Sequence, residues 1–261
     1  MSRAATALAL AALLPAAAAA QDFASPGPPL RSAMPFAALE RGTPPAEPGL
    51  ALASAGVRWY GIAGLDTRAA AVAAGWRSAR MAVGLSQTGD GAVGWTAAGV
   101  AAGIANPAAG AGLRAVARRD RTTPFDRPPA ADDLGVEVGG AAWLEAGTGL
   151  DVWCSAPQLW MKGAAPPLAR GLELGISASG PGWAAWLARE SARGAAGRDG
   201  IHNAGLALTL DPLTAWVSAR DAPTRGAFGL SAHASRIEVA VEIEGHPILG
   251  ETVRLSLGVT P

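Results

Sequence analysis

The sequence has 261 residues, of which 50% are hydrophobic, and it carries 21 basic and 21 acidic side chains. A formal net charge of zero offers no basic surface for nucleic acid, so we expect no nucleic-acid partner. The single cysteine, Cys154, excludes an intramolecular disulfide.

The first 20 residues have the pattern of a secretory signal peptide. Arg3 precedes an apolar run at residues 5–14, and an A-x-A cleavage pattern at 18–20 comes directly before Gln21. A membrane helix is the alternative, but this run is short and alanine-rich. No later stretch approaches the roughly 20 apolar residues of a helical span, so a membrane-resident mature chain must be a closed barrel.

Residues 21–49 form a proline-rich segment without a clear period. Its centre, residues 34–39, is apolar enough for a short helical turn. We expect this segment to act as a tether or as a small plug in the mouth of a barrel.

From residue 50 to residue 261, apolar and polar side chains alternate with the period of two that is typical of β-strands. Ile237, Val239, Val241 and Ile243, for example, interleave with charged residues. About 14 strands (12–14) can be marked, with Ala53, Val57 and Trp59 on the apolar face of the first. The alanine runs at 69–74 and 97–102 could instead be helical.

Alternation alone allows a soluble β-sandwich or a transmembrane barrel. The predicted connections alternate between short turns and longer loops, which is the pattern of outer-membrane barrels. The apolar face is often alanine, which suits lipid better than a densely packed core. The sequence therefore predicts an all-β fold, an antiparallel up-and-down transmembrane β-barrel; the sandwich is the alternative.

In such a barrel the charged face lines the lumen. The predicted lumen-facing residues are Arg80, Arg114, Arg118, Glu137, Asp151, Glu173, Arg220, Glu238, Glu242 and Arg254.

Tryptophan is frequent and tyrosine nearly absent. The alternation of side chains between the two strand faces places Trp59, Trp76, Trp95 and Trp183 on the apolar face near strand ends. There we expect them to form part of an aromatic girdle at the membrane interface. The same alternation places Trp143, Trp153, Trp186 and Trp216 on the opposite face. Trp160 and Met161 fall in a predicted loop at residues 155–170, as candidates for contact with a ligand, a partner or the membrane surface.

No catalytic or cofactor signature is present. The three histidines are far apart in the sequence, and no nucleophile elbow, P-loop or dinucleotide fingerprint occurs. We therefore expect no enzyme activity, no catalytic residue, no cofactor and no metal site.

Both ends of the chain resemble exported barrels of the FadL and PorV type. The resemblance rests on residues 226–231 (GAFGLS), 246–250 (HPILG) and 254–257 (RLSL), with residues 56–61 (GVRWYG) similar to an early barrel hairpin. It implies a fourteen-stranded barrel, with uptake of hydrophobic compounds in the FadL branch or a secretion-linked role in the PorV branch.

The expected function is that of a Gram-negative outer-membrane barrel that passes a hydrophobic or small solute, or serves secretion. Its expected partners are outer-membrane lipid and either a hydrophobic solute or a secreted protein. The alternative is a soluble exported β-sandwich, periplasmic or secreted, that acts as a binding or surface module.

Overall fold

The computed structural model describes residues 35–43, 49–62, 64–89, 94–120, 134–163, 171–191, 200–221 and 224–260. The predicted signal peptide lies outside these residues. Within these residues the chain forms one helix and fourteen strands: α1 (Pro35–Arg41), β1 (Gly49–Arg58), β2 (Asp66–Trp76), β3 (Ala79–Gly89), β4 (Gly94–Ala105), β5 (Ala109–Asp120), β6 (Leu134–Gly147), β7 (Leu150–Gly163), β8 (Glu173–Gly180), β9 (Trp183–Glu190), β10 (Ile201–Leu210), β11 (Leu213–Asp221), β12 (Thr224–Ala234), β13 (Ile237–His246) and β14 (Gly250–Val259).

The strands form one closed antiparallel barrel. Each strand pairs with its sequence neighbours, and β1 closes the sheet by pairing with β14 from Leu52 opposite Val259 to Arg58 opposite Val253. The predicted all-β up-and-down barrel of 14 strands is confirmed, and the sandwich is wrong. The two alanine runs lie in β2 and β4, because cross-strand pairing on both sides overrides the helical preference of alanine.

The two rims of the barrel differ in their connections. The even-to-odd turns contain two or three residues each, at 77–78, 106–108, 148–149, 181–182, 211–212 and 235–236. We call this end the tight-turn rim. The opposite end, the long-loop rim, includes connections 59–65, 121–133, 164–172 and 191–200.

The side chain of Asn106 closes the three-residue turn between β4 and β5. Asn106 Oδ1 accepts hydrogen bonds of 2.8 Å from the backbone N–H groups of Ala108 and Ala109. A side chain that closes its own turn in this way lets three residues reverse the chain.

The outside of the barrel is apolar and the inside is polar. On β3, Arg80, Ser86 and Thr88 face inward and are buried, whereas Val83 and Leu85 face outward and are 49% and 67% exposed. The same alternation recurs around the barrel, and on β13 it places Val241 and Ile243 outward. Among the described residues, no helix is both long and apolar enough to cross a membrane.

The predicted faces of β1 are wrong. Ala53 and Val57 face inward and are buried, whereas Leu50 and Leu52 face outward. The inward face of this strand is apolar because it packs against a helix inside the barrel. Period-two reasoning assumes a polar lumen and therefore assigned the faces the wrong way round.

Two members of the predicted tryptophan girdle also face inward. Trp59 and Trp95 are 3% and 6% exposed and cluster near the long-loop rim. Trp76 and Trp183 do face outward near the tight-turn rim, with 71% and 42% exposure. Trp160 lies within β7, which continues to Gly163, and not in the predicted loop.

Candidate functional site: the barrel interior

The helix α1 lies inside the barrel. It contacts seven successive strands, β1 to β7, and Phe36 and Leu39 are fully buried. A short helix outside a convex wall could not touch seven strands. Pro35 starts the helix, where its missing N–H costs nothing, and Gly42 ends it with φ +83° and a 2.8 Å hydrogen bond from its N–H to the Ala38 carbonyl.

The wall around α1 is built from small residues. Short side chains let a helix approach the strand backbones closely. The buried residues that pack with the helix are Ala53, Ala69, Ala71, Ala73, Ala82, Ala97, Ala101 and Val116.

Two glycines mark the closest approach between helix and wall. Leu39 Cδ1 occupies the space that a Cβ at Gly84 would need. A Cβ at Gly42 would lie 3.0 Å from the Cα of Gly140 on β6. The inner wall therefore packs tightly against the carboxyl end of α1.

Arg114 on β5 joins the helix to two strands of the wall. Its Nη1 donates to the Leu39 carbonyl at 2.8 Å, and its Nη2 donates to the Pro157 carbonyl at 2.8 Å and pairs with Glu137. Gln158 Nε2 donates to the same Glu137 carboxylate at 3.0 Å. A separate bond of 3.1 Å runs from Ser155 Oγ to the Arg41 carbonyl.

A second polar cluster lies on the opposite wall. Arg254 on β14 bridges Glu242 and Glu244 on β13, both at 2.6 Å, and Arg225 on β12 pairs with Glu244 at 3.0 Å. Trp216 Nε1 donates to Glu242 at 2.8 Å. The four charges alternate in sign across three strands, so each has a counter-charge within the wall.

Four inward tryptophans cover glycines on the neighbouring strands. In each case the Cβ of a larger residue at the glycine would collide with the indole ring, so the ring lies flat on the glycine backbone. The pairs are Trp143 with Gly110, Trp153 with Gly175, Trp186 with Gly205, and Trp216 with Gly229.

All ten sequence-predicted lumen residues occupy inward positions. Arg80, Arg114, Glu137, Asp151, Glu173, Glu242 and Arg254 are buried, and Arg118, Arg220 and Glu238 are half-buried.

Ion pairs join some of these ten residues to each other. Arg114 meets Glu137, and Arg254 meets Glu242. Arg220 instead pairs at 3.2 Å with a residue that the sequence reasoning omitted, Glu190.

Arg225 and Glu244 were also missed, as was Glu190. All three follow the same period of two and lie near the strand ends at the long-loop rim: Glu190 is the last residue of β9, Arg225 the second of β12 and Glu244 the third from last of β13. The alternation that selected the ten residues therefore also marks these three.

Inward side chains pack the middle of the described interior. Every strand carries a buried inward residue near its middle; on β10 to β13 these are Ala207, Trp216, Gly229 and Ala240. On β11 and β12 the next inward positions, Ser218 and Ser231, are half-buried. The described interior is therefore packed at mid-height, where α1 lies against β1 to β7.

The aromatic group at the long-loop rim is held by hydrogen bonds. Trp59 Nε1 donates to Thr67 Oγ1 at 2.7 Å, and the Tyr60 N–H donates to Thr252 Oγ1 at 3.3 Å across the β1–β14 seam. Burial raises the pKa of the Tyr60 phenol above its ordinary value. Arg254 lies 5.7 Å from the Trp59 ring, so this cluster is continuous with the charged one.

The described residues contain no group of three or more potential metal ligands. Each histidine has a local partner: His202 pairs with Asp221 at 2.7 Å, and His233 with Asp211 at 2.9 Å. His246 Nδ1 accepts from the backbone of its own turn.

Comparisons with known proteins were made by sequence and by fold. No protein-family model and no curated protein matches the sequence. Among solved structures, a triple mutant of the Rhodopseudomonas blastica porin matches with 10% identity and a TM-score of 0.43, and the KdgM porin with 7% identity and 0.44. Each match covers 81% of this chain and 99% of the other.

These similarities are too distant to carry an argument, so the architecture rests on the strand pairing described above. By that pairing, the protein is a closed fourteen-stranded antiparallel β-barrel with an apolar outer face. The resemblance to the FadL and PorV type stays a prediction.

Proposed function

We propose that this protein is an outer-membrane barrel that passes small solutes, and that α1 is the movable element that closes it. The observation that carries the proposal is the packing of α1 inside the barrel against β1 to β7, since this helix is not part of the wall. We further propose that residues 1–20 direct export and are removed.

The membrane location is supported by the outer surface. A ten-residue strand such as β13 rises about 3.4 Å per residue and, with a tilt of about 40°, spans about 25 Å. Its outward side chains are all aliphatic, from Ile237 to Ile243. An apolar band of that height matches the hydrocarbon core that outer-membrane barrels cross.

The transport role is supported by the inner surface. A barrel with only a structural role has no need for charged inward side chains that water reaches. Arg220 is 33% exposed at its side chain, and Glu190 and Glu244 are each 18% exposed. These side chains form a charged, solvent-accessible surface inside the barrel near the long-loop rim.

A disulfide lock tests the role of the helix. The variant Leu39→Cys, Gly84→Cys, Cys154→Ser places two thiols where Leu39 now meets Gly84 and removes the native thiol. In planar bilayers we expect the oxidised protein to be closed and reduction to restore openings. The Leu39→Cys, Cys154→Ser variant is the control, and its openings should not respond to reductant.

Two outcomes would contradict the proposal. Equal conductance before and after reduction, with the crosslink verified by mass, would show that α1 is not the gate. The absence of openings in the wild type and in every reduced variant would exclude passive transport itself.

A further inference from the structure

We propose that Arg114 is the residue that holds α1 in the barrel, and that the cluster of Arg114, Glu137 and Gln158 sets how often the helix leaves the wall. This inference rests on the proposed function for its physiological meaning. The retention of the helix by Arg114 can be measured without any conductance.

An irregularity in the pairing of β6 with β7 positions the hydrogen-bond acceptors of Arg114. The register between β6 and β7 shifts between Val138 and Gly140. At Gly139 a Cβ would collide with the Pro157 carbonyl, so only glycine allows this approach. The shift presents the Pro157 carbonyl to Arg114 and lets Gln158 reach Glu137.

The geometry suits arginine and no other cation. One planar guanidinium reaches three acceptors on three elements: the Leu39 carbonyl on α1, the Pro157 carbonyl on β7 and the Glu137 carboxylate on β6. Lysine has a single nitrogen and cannot hold all three in one plane. The helix is thus held in a defined position against the wall.

Burial of an ion pair costs desolvation free energy that an apolar pair does not. The Arg114 and Glu137 side chains are 3% and 11% exposed, and desolvation of two such charges offsets much of their attraction. An apolar pair would pack against the alanine wall equally well. The polar cluster adds directional bonds to a carbonyl in the last turn of α1, which has no partner within so short a helix.

Other contacts also hold α1. Phe36 and Leu39 pack on alanines, Ser155 Oγ donates one bond of 3.1 Å to the Arg41 carbonyl, and the Glu40 carboxylate attracts the Arg254 guanidinium. A helix that leaves the wall must break the Arg114 bond to Leu39, which leaves a buried guanidinium with one acceptor fewer. Bonds to charged groups are worth more than neutral ones, so this bond holds the helix more strongly than the Ser155 bond does.

Thiol accessibility in the full chain tests the inference. Ala38, which is 1% exposed, is replaced in the variant Ala38→Cys, Cys154→Ser, and the protein is reconstituted in phosphatidylcholine vesicles. The rate of reaction with a water-soluble maleimide then reports how often α1 leaves the wall. We expect Arg114→Met to raise this rate by about tenfold or more, and Arg114→Lys to raise it less.

The matched control is Arg80→Met in the same background. Arg80 is also inward and 3% exposed, but its Nη1 donates to the carbonyls of Arg77 and Ala79 in its own turn. We expect the rate of Arg80→Met to equal that of the parent. If Arg114→Met does not fold, the double variant Arg114→Met, Glu137→Gln removes both charges and serves instead.

Equal labelling rates in the Arg114 and Arg80 variants would overturn the role of Arg114. Faster labelling of the Arg114 variant without any channel openings would support the retention of α1 by Arg114 and contradict the proposed transport function. The two failures are therefore distinguishable.

Discussion

At the residue scale, the inner wall depends on pairs of a large and a small side chain. Four inward tryptophans each lie over a glycine of the adjacent strand, as Trp216 does over Gly229. The ring covers backbone that would otherwise have no side-chain contact, and the glycine removes the Cβ that would push the ring into the interior. Such pairs pin the register of neighbouring strands.

Replacement of one such glycine tests this packing. Gly229→Ala places a methyl group inside the ring of Trp216, so we expect a loss of about 1–3 kcal/mol in the free energy of unfolding. Gly226→Ala on the same strand meets nothing closer than 4.0 Å and should be nearly neutral. Urea unfolding of both variants in lipid vesicles, followed by tryptophan fluorescence, measures the difference; equal stabilities would argue against the pairing.

Single residues also show the limit of sequence reasoning. The parity of the strands placed Arg114, Glu137, Glu242 and Arg254 on the inner face, where the structure has them. It did not show that Arg114 would contact the helix, because Leu39 is 75 positions away in the sequence. Contacts of that kind depend on the closed barrel and not on local spacing.

At the element scale, the strands follow from hydrophobic alternation, and an exception occurs where a strand meets the helix. β1 carries apolar residues inward against α1, so the simple polar-inside pattern gave the wrong face for Ala53. The pattern was also wrong for Trp59 and Trp95, which face inward in a separate apolar cluster at the long-loop rim. Around β8 to β14 the alternation is regular. Faces are therefore misassigned where the inside of the barrel holds apolar groups.

Substitutions at two heights on β13 test whether this strand spans the hydrocarbon core. Val241 and Ile237 both face outward on β13, but Val241 lies near the middle and Ile237 at the tight-turn rim. We expect Val241→Arg to cost about 2–4 kcal/mol of stability in a bilayer and Ile237→Arg about 0–1 kcal/mol. Equal costs in equilibrium unfolding from vesicles would mean that β13 does not span the hydrocarbon core.

At the scale of the whole molecule, the barrel reverses the arrangement of a soluble protein, since its apolar side chains face outward and many polar side chains face inward. Its outer face is aliphatic, part of its inner face is an alanine wall around a helix, and another part combines paired arginine and glutamate side chains with tryptophans. The closed pairing of β1 with β14 leaves no free sheet edge, which is what a membrane requires. The filled middle distinguishes this barrel from an open pore.

The most direct test of this account is a single-channel recording of the unmodified protein in a planar bilayer. Because α1 and the inward side chains pack the middle of the described interior, we predict long closed intervals interrupted by brief openings. A steady, continuously open conductance would contradict the account, since it would require a lumen that is open at mid-height with α1 in place.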